Sequence, residues 1–212
     1  MRPPESWRTA RATLAIAAAT AAAFVLAEMA GVQLRAMSWA GFLPYRFSFD
    51  GYGPGVPLWL TPLTATLVHI GWVHLLFNLL FLLFCGRAVE GVLGPVAIVL
   101  LYVLGAYAAA AGHFAFDPHS TAPMIGASGA ISAVLGAYAM LFGRNKVRVK
   151  SPTLALWLQA LWLMAAWIGL QVGIGIVSRQ LNVGIAIGAH IGGFLVGIAL
   201  ARPLLLFRYR RA

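Results

Sequence analysis

Long apolar stretches constrain this 212-residue chain more than any other feature of its sequence. Six windows approach the roughly 20 apolar residues that a helix needs to cross about 30 Å of hydrocarbon. They lie at about 12–33, 64–86, 93–114, 125–142, 154–177 and 183–206. Charged side chains make up 9% of the residues, against about 25% in an ordinary soluble domain. The pattern predicts an all-α integral membrane protein with six transmembrane helices.

The 15 lysine and arginine residues divide unevenly between the two sides of the predicted bundle. Three lie on one side: Arg35, Arg46 and Arg179. The other twelve lie on the opposite side: Arg2, Arg8, Arg11, Arg87, Arg144, Lys146, Arg148, Lys150, Arg202, Arg208, Arg210 and Arg211. Because basic residues concentrate in cytoplasmic loops, we expect both termini in the cytoplasm. The chain then divides into a cytoplasmic segment 1–11, a membrane domain 12–206 and a basic cytoplasmic tail 207–212.

The net charge of +10 follows this membrane topology. In a soluble protein it would suggest a nucleic-acid partner, but here the positive residues border predicted spans. We therefore expect no nucleic-acid partner, and we expect the cytoplasmic basic residues to contact anionic membrane lipid.

Polar side chains inside the predicted spans are costly and usually mark function. His74 and Asn78 lie in the second window, Ser128 in the fourth and His190 in the sixth. At about 1.5 Å per residue, Ser128, His74 and His190 lie roughly 22, 20 and 18 Å above the cytoplasmic end of their spans. Asn78 lies one turn below His74 on the same helix face. Ser128, His74 and His190 therefore lie at similar depths, and together with Asn78 they are candidates for one site.

These residue types fit nucleophilic catalysis by a serine. A serine needs a base to become a nucleophile, and His190 is the candidate base by depth. His74, Asn78 and the backbone N–H of Ser128 are candidate donors to a negatively charged intermediate. Gly126 allows a peptide carbonyl to approach the backbone closely. Since Asp117 lies in an outer loop and Glu90 at the cytoplasmic end, we expect a Ser–His dyad without a carboxylate as a third member.

A proton or metal transporter that uses intramembrane histidines is an alternative, because glycine-broken helices suit such proteins. Against it, Glu28 near the outer end of the first span is the one carboxylate in reach, and the HExxH metalloprotease signature is absent from the sequence. We expect Glu28 to reach the interface. His69 lies higher in the second window than His74, and we expect it to play a structural part by bonding to the first outer loop.

Small residues recur at helical spacing in the fourth and sixth windows. The sixth contains Gly188, Gly192, Gly193 and Gly197 in two small-xxx-small pairs. The fourth carries Gly126, Ala130, Ala133 and Ala137. Such spacing lets membrane helices pack backbone to backbone, so we expect these two helices to lie close together.

Three short motifs resemble the signatures of the rhomboid intramembrane serine proteases. They are HLLFN at 74–78, GASGA at 126–130 and AHIGG at 189–193, in the order and on the helices that the family uses. The segment GRAVEGVLG at 86–94 is similar to the end of the family's second helix. The resemblance spans about residues 55–200 and implies a rhomboid-like bundle of six transmembrane helices.

The resemblance also implies roles and an activity. Ser128 matches the nucleophile, His190 the general base, His74 and Asn78 the oxyanion stabilisers, and Gly126 the glycine of the family's GxS motif. The family cleaves transmembrane helices of membrane-protein substrates near their outer ends, without metal or ATP. Its fifth helix is thought to gate substrate entry, and its bacterial members lie in the inner membrane. The alternative is a catalytically silent rhomboid-like protein that binds and escorts membrane clients; such relatives usually lack the serine or histidine.

The chain departs from the family pattern at two positions. Ser132 replaces an aromatic residue that stacks on the general base in many relatives, so support for His190 must come from elsewhere. Leu60 follows Trp59 where many relatives carry Trp-Arg, so the role of that arginine in the first outer loop is unfilled or displaced.

Overall fold

The computed structural model describes residues 10–48, 55–143, 149, 151–180 and 186–210. Most of the predicted segment 1–11, the basic stretch 144–150 and the end of the tail 207–212 therefore lie outside the described residues. These described residues form ten α-helices: α1 Arg11–Met29, α2 Gln33–Ala40, α3 Tyr45–Ser48, α4 Thr61–Thr64, α5 Trp72–Phe81, α6 Arg87–Leu93, α7 Pro95–Phe116, α8 Ser128–Phe142, α9 Pro152–Gln180 and α10 Ile187–Arg208. Within the described ranges the extended structure is limited to one bridge, between Phe42 and Met124. The all-α prediction is confirmed.

Five helical stretches in the described part of the chain are long and apolar enough to cross a membrane. They are Arg11–Met29, Trp72–Leu93, Pro95–Phe116, Pro152–Gly173 and Ile187–Arg208. The second of them joins α5 to α6 through a π-helical turn, Leu82–Gly86. Helix α8, in the fourth predicted window, has 15 residues and rises about 22 Å, less than the roughly 30 Å of a hydrocarbon core. The count of six spans therefore stays a prediction.

The first and second predicted spans have wrong boundaries. Helix α1 ends at Met29, and Gly31 then takes a positive φ of 64° that turns the chain into α2. The second span starts at Trp72, because residues 58–67 form a separate short helical stretch. Val68 leaves that stretch with extended backbone. Hydropathy alone does not register such a break, since the residues on both sides of it are apolar.

Helices α7, α8 and α10 form the closely packed centre of the molecule. The two glycine pairs of α10 contact different neighbours: Gly188 and Gly192 face the backbone of α7, whereas Gly193 and Gly197 face the backbone of α8. A β-carbon at any of these positions would collide with a backbone carbonyl of the neighbouring helix. The predicted close packing of α10 on α8 is confirmed for Gly193 and Gly197, and it brings the start of α10 against the start of α8, whereas Gly188 and Gly192 pack on α7 instead.

The buried carboxylate of Glu90 holds the start of α1 against α6. Its Oε1 accepts a hydrogen bond from the Ala12 N–H at 2.9 Å. Its Oε2 accepts from the Thr13 N–H at 2.7 Å and from the Thr13 hydroxyl at 2.6 Å. The first N–H groups of a helix have no partner within the helix and favour negative charge, so Glu90 acts as a cap supplied by another part of the chain.

Candidate active site

The hydroxyl of Ser128 and the imidazole of His190 lie in direct hydrogen-bonding contact. Ser128 Oγ and His190 Nε2 are 2.8 Å apart. Ser128 is the first residue of α8, and His190 lies in the first turn of α10. The contact follows from the glycine packing, because Gly193 lies against the backbone carbonyl of Gly129, one residue after the serine.

The loop before α8 brings the second histidine of the predicted site into place. Gly126 has a φ of 101°, which favours glycine. A β-carbon at this position would lie 2.5 Å from Cε1 and 2.6 Å from Nε2 of His74. The imidazole of His74 therefore covers the loop two residues before Ser128, and a side chain at position 126 would displace it.

Asn78 lies on α5 one turn after His74, as the sequence predicts. Its Nδ2 donates a hydrogen bond of 2.8 Å to the backbone carbonyl of His74, and its side chain is buried. An amide nitrogen carries two hydrogens, so one N–H fixes the side chain and the second is available to another acceptor.

His69 lies between the helical stretch 58–67 and α5, which differs from the predicted position inside the second span. It is fully buried, and its ring centroid lies 5.0 Å from that of His74. Burial, with the nearby His74 as a second cause, lowers the pKa of His69 to about 4. The neutral ring accepts a hydrogen bond of 3.4 Å from the Ala127 N–H through Nε2. Its backbone carbonyl accepts a bond of 3.3 Å from the side chain of Gln33. His69 thus supports the loop that precedes Ser128.

The sequence analysis missed the residue that contacts the other side of His190. Gln171 of α9 has its Oε1 3.3 Å from His190 Nδ1. One turn earlier on α9, the Trp167 indole N–H donates a bond of 3.3 Å to the His190 carbonyl. A search for every hydrogen-bonding side chain inside the fifth window, rather than for ionisable ones, would have found Gln171.

The two departures from the family pattern have local partners. The hydroxyl of Ser132 donates a hydrogen bond of 2.8 Å to the Ser128 carbonyl, so it stabilises the first turn of α8. Near Leu60, the Trp59 carbonyl accepts a bond of 2.9 Å from the Tyr107 hydroxyl, which ties the outer segment to α7. The residues of the described ranges include no group of three or more His, Cys, Asp or Glu side chains that could hold a metal ion.

The chain is similar to one protein family and to several curated proteins. The family profile of the Rhomboid domain matches residues 58–207. Rhomboid protease GluP of Bacillus subtilis (strain 168) is 33% identical over 147 residues, which cover 68% of this chain and 27% of that protein. Rhomboid protease GlpG of Enterobacter sp. (strain 638) is 29% identical over 194 residues, covering 89% of this chain and 61% of that protein.

A third relative is Rhomboid protease GlpG of Haemophilus influenzae, which is 29% identical over 136 residues. The matched region covers 64% of this chain and 65% of that protein. The chain therefore spans between about a quarter and two thirds of the length of these curated relatives. Residues 58–207, which the family profile matches, include α5, α8 and α10, the helices that carry His74, Ser128 and His190.

Proposed function

The chain belongs to the rhomboid family of integral membrane proteins, and we propose that it is an active intramembrane serine protease with Ser128 as its nucleophile and His190 as its general base. The observation that carries this proposal is the 2.8 Å contact between Ser128 Oγ and His190 Nε2. That distance lies within the range in which a base can take a proton from a nucleophile.

The proposed reaction begins with attack of Ser128 Oγ on the carbonyl carbon of a substrate peptide bond. The Oγ–C bond forms as His190 Nε2 takes the hydroxyl proton. The carbonyl electron pair moves to oxygen and gives an oxyanion. His190 then returns the proton to the leaving nitrogen as the C–N bond breaks, which leaves an acyl-enzyme. Water, deprotonated by His190, attacks the acyl carbon and releases Ser128 with its proton.

Three groups support stabilisation of the oxyanion. The backbone N–H of Ser128 belongs to the first turn of α8, where N–H groups lack helical partners and the helix dipole is positive. The His74 ring lies against Gly126, and Asn78 has a second amide N–H beyond the one that it donates to the His74 carbonyl. We propose that these donors bind the oxyanion, and that Gly126 leaves the room in which it forms.

The proposed substrates are transmembrane helices of other membrane proteins, cut near their outer ends. We place the membrane domain 12–206 in a bacterial inner membrane, with the segment 1–11 and the tail 207–212 in the cytoplasm. The twelve basic residues on one side of the bundle support this orientation. Fusions of green fluorescent protein and alkaline phosphatase to the C-terminus test it: fluorescence without phosphatase activity is expected, and the reverse result contradicts it.

The test of the activity is labelling by a fluorophosphonate probe, which reacts with activated serines. Purified wild-type protein should be labelled, whereas Ser128→Ala and His190→Ala should not, with their folds intact. Ser132→Ala is the matched control, since it removes a hydroxyl one turn away that bonds to a carbonyl and not to His190. Equal labelling of the wild type and Ser128→Ala would contradict the proposal.

Cleavage of a transmembrane substrate in detergent or vesicles completes the test. A protein that cleaves no substrate, and whose Ser128→Ala variant still retains membrane clients, would be a silent escort protein instead. Activity that a chelator removes, or a metal flux that is lost in His74→Ala, would favour the transporter alternative.

A further inference from the structure

Gln171 differs from the other described residues of α9 in its burial. Among the described side chains of this helix it is the one that is buried, with 2% of its surface exposed, while the large apolar residues around it are exposed. Its neighbours Leu170 and Val172 are 53% and 51% exposed, as expected of residues that face lipid. An amide in an apolar helix needs a hydrogen-bond partner, and the partner of Gln171 is His190.

The atoms in this contact determine which nitrogen of the His190 imidazole carries the proton. An amide oxygen can only accept a hydrogen bond, so His190 Nδ1 must carry the proton that it donates to Gln171 Oε1. In the neutral ring, Nε2 is then unprotonated and faces Ser128 Oγ. This is the tautomer that a general base needs. The opposite tautomer would place a proton between the ring and the serine hydroxyl.

The backbone of His190 is held by the same face of α9. Trp167 lies one turn before Gln171, donates its indole N–H to the His190 carbonyl, and stacks on Phe194 of α10 with ring centroids 4.8 Å apart. Positions four residues apart share a helix face. Two side chains of α9 therefore fix both the backbone and the ring of the same residue.

We propose that Gln171 is a positioning residue that holds His190 in the tautomer and orientation required to deprotonate Ser128. This inference rests on the proposed protease function and adds to it the group that takes the place of a third triad member. It also makes the competence of the dyad depend on the docking of α9, because the contact that orients the base is lost whenever α9 leaves α10.

The test compares Gln171→Met with Gln159→Met. Methionine matches glutamine in length but offers no comparable acceptor, and Gln159 lies three turns away on the same helix. Fluorophosphonate labelling of Ser128 is the first readout, because a small probe does not need a substrate helix to pass α9. We expect the labelling rate and kcat of Gln171→Met to fall roughly 3- to 30-fold with KM little changed, from the loss of one orienting hydrogen bond.

Gln171→Glu provides the rescue, since a carboxylate also accepts a hydrogen bond from the Nδ1–H group of His190. We expect its labelling rate at neutral pH to return to within a few fold of the wild type, and the acidic limb of its pH–rate profile to move to higher pH. A merely structural role for the amide predicts no recovery of the labelling rate in Gln171→Glu, because a buried carboxylate fits such a role no better than methionine. Gln171→Met that labels as fast as Gln159→Met, or that lowers substrate cleavage while labelling is unchanged, would overturn the proposal.

The outcome is separable from the test of the protease function itself. That function fails if wild-type protein and Ser128→Ala are labelled equally, a comparison in which Gln171 takes no part. The positioning role fails, with the protease function intact, if Ser128 of the wild type is labelled and Gln171→Met labels at the same rate. Thermal unfolding of both methionine variants shows that a lower rate is not a loss of fold.

Discussion

The buried carboxylate of Glu90 allows a quantitative prediction about the stability of the fold. Three donors meet it: two backbone N–H groups at the start of α1 and the Thr13 hydroxyl. Its side chain is 1% exposed, so water cannot take the place of a lost hydrogen-bond partner. Hydrogen bonds to a charged acceptor contribute about 1.5–3 kcal/mol each, and a buried donor that is left without an acceptor costs about 1–3 kcal/mol.

Two substitutions at position 90 separate the number of bonds from the charge. Glu90→Ala leaves all three donors without an acceptor, and we expect a loss of about 3–5 kcal/mol. In Glu90→Gln the amide oxygen can keep the two bonds from Thr13, but its NH2 group then faces the Ala12 N–H. We expect an intermediate loss of about 1–3 kcal/mol, from one missing bond and the missing charge at a helix start.

The assay is thermal unfolding of the purified protein in one detergent, followed by circular dichroism. At about 2–4 °C per kcal/mol for a chain of this size, Glu90→Ala should lower Tm by roughly 10 °C and Glu90→Gln by about half as much. Glu28→Ala and Glu28→Gln are the matched controls, because Glu28 lies exposed near the end of α1. If the alanine variants at positions 90 and 28 unfold at the same temperature, the assignment of Glu90 as a cap for α1 is wrong.

Three further predictions concern the site. Gly126→Ala should lower kcat at least 10-fold without unfolding the protein, because its β-carbon would strain a positive φ and displace His74; unchanged cleavage kinetics would contradict this. Asn78→Ala should lower kcat about 10- to 1,000-fold with little change in KM, as expected for an oxyanion donor, and a change in KM alone would exclude that role. Since the pKa of His69 falls from 6.5 to about 4 on folding, the unfolded chain takes up this proton first as the pH drops. The free energy of unfolding should therefore decline between about pH 6.5 and 4, and His69→Gln should show a smaller decline in Tm over that window.

The proximity of Ser128 and His190 could be predicted from the sequence, for two physical reasons. Depth along a helix follows from a fixed rise per residue, so it can be read without coordinates. Small residues on the fourth and sixth windows then predicted the close approach of α8 and α10, although the contact of Gly188 and Gly192 with α7 was not predicted. Depth and close approach are the two quantities that decide whether a short serine side chain reaches an imidazole on another helix.

The contacts of Gln171 and Glu90 could not be predicted from the sequence, because their partners depend on how the helices rotate and tilt. Gln171 has an apolar sequence context that is the same on every face of α9, so the sequence does not indicate that one face meets His190. The depth of Glu90 excludes it as a triad member, but depth does not indicate that its carboxylate accepts hydrogen bonds from the start of α1. His69 was placed in the wrong element because an extended stretch of apolar residues leaves no mark on a hydropathy window.

Three side chains of the proposed site occupy the same position within their helices, although they lie far apart in the sequence. Ser128, His74 and His190 each lie in the first turn of a helix: α8, α5 and α10 respectively. The starts of three helices thus converge, and each contributes partial positive charge and N–H groups without helical partners. This partial positive charge stabilises an anion between the three helix starts and destabilises a cation there. In the proposed acyl transfer this arrangement would stabilise the oxyanion more than the serine and neutral histidine of the resting site, which is the difference that accelerates a reaction.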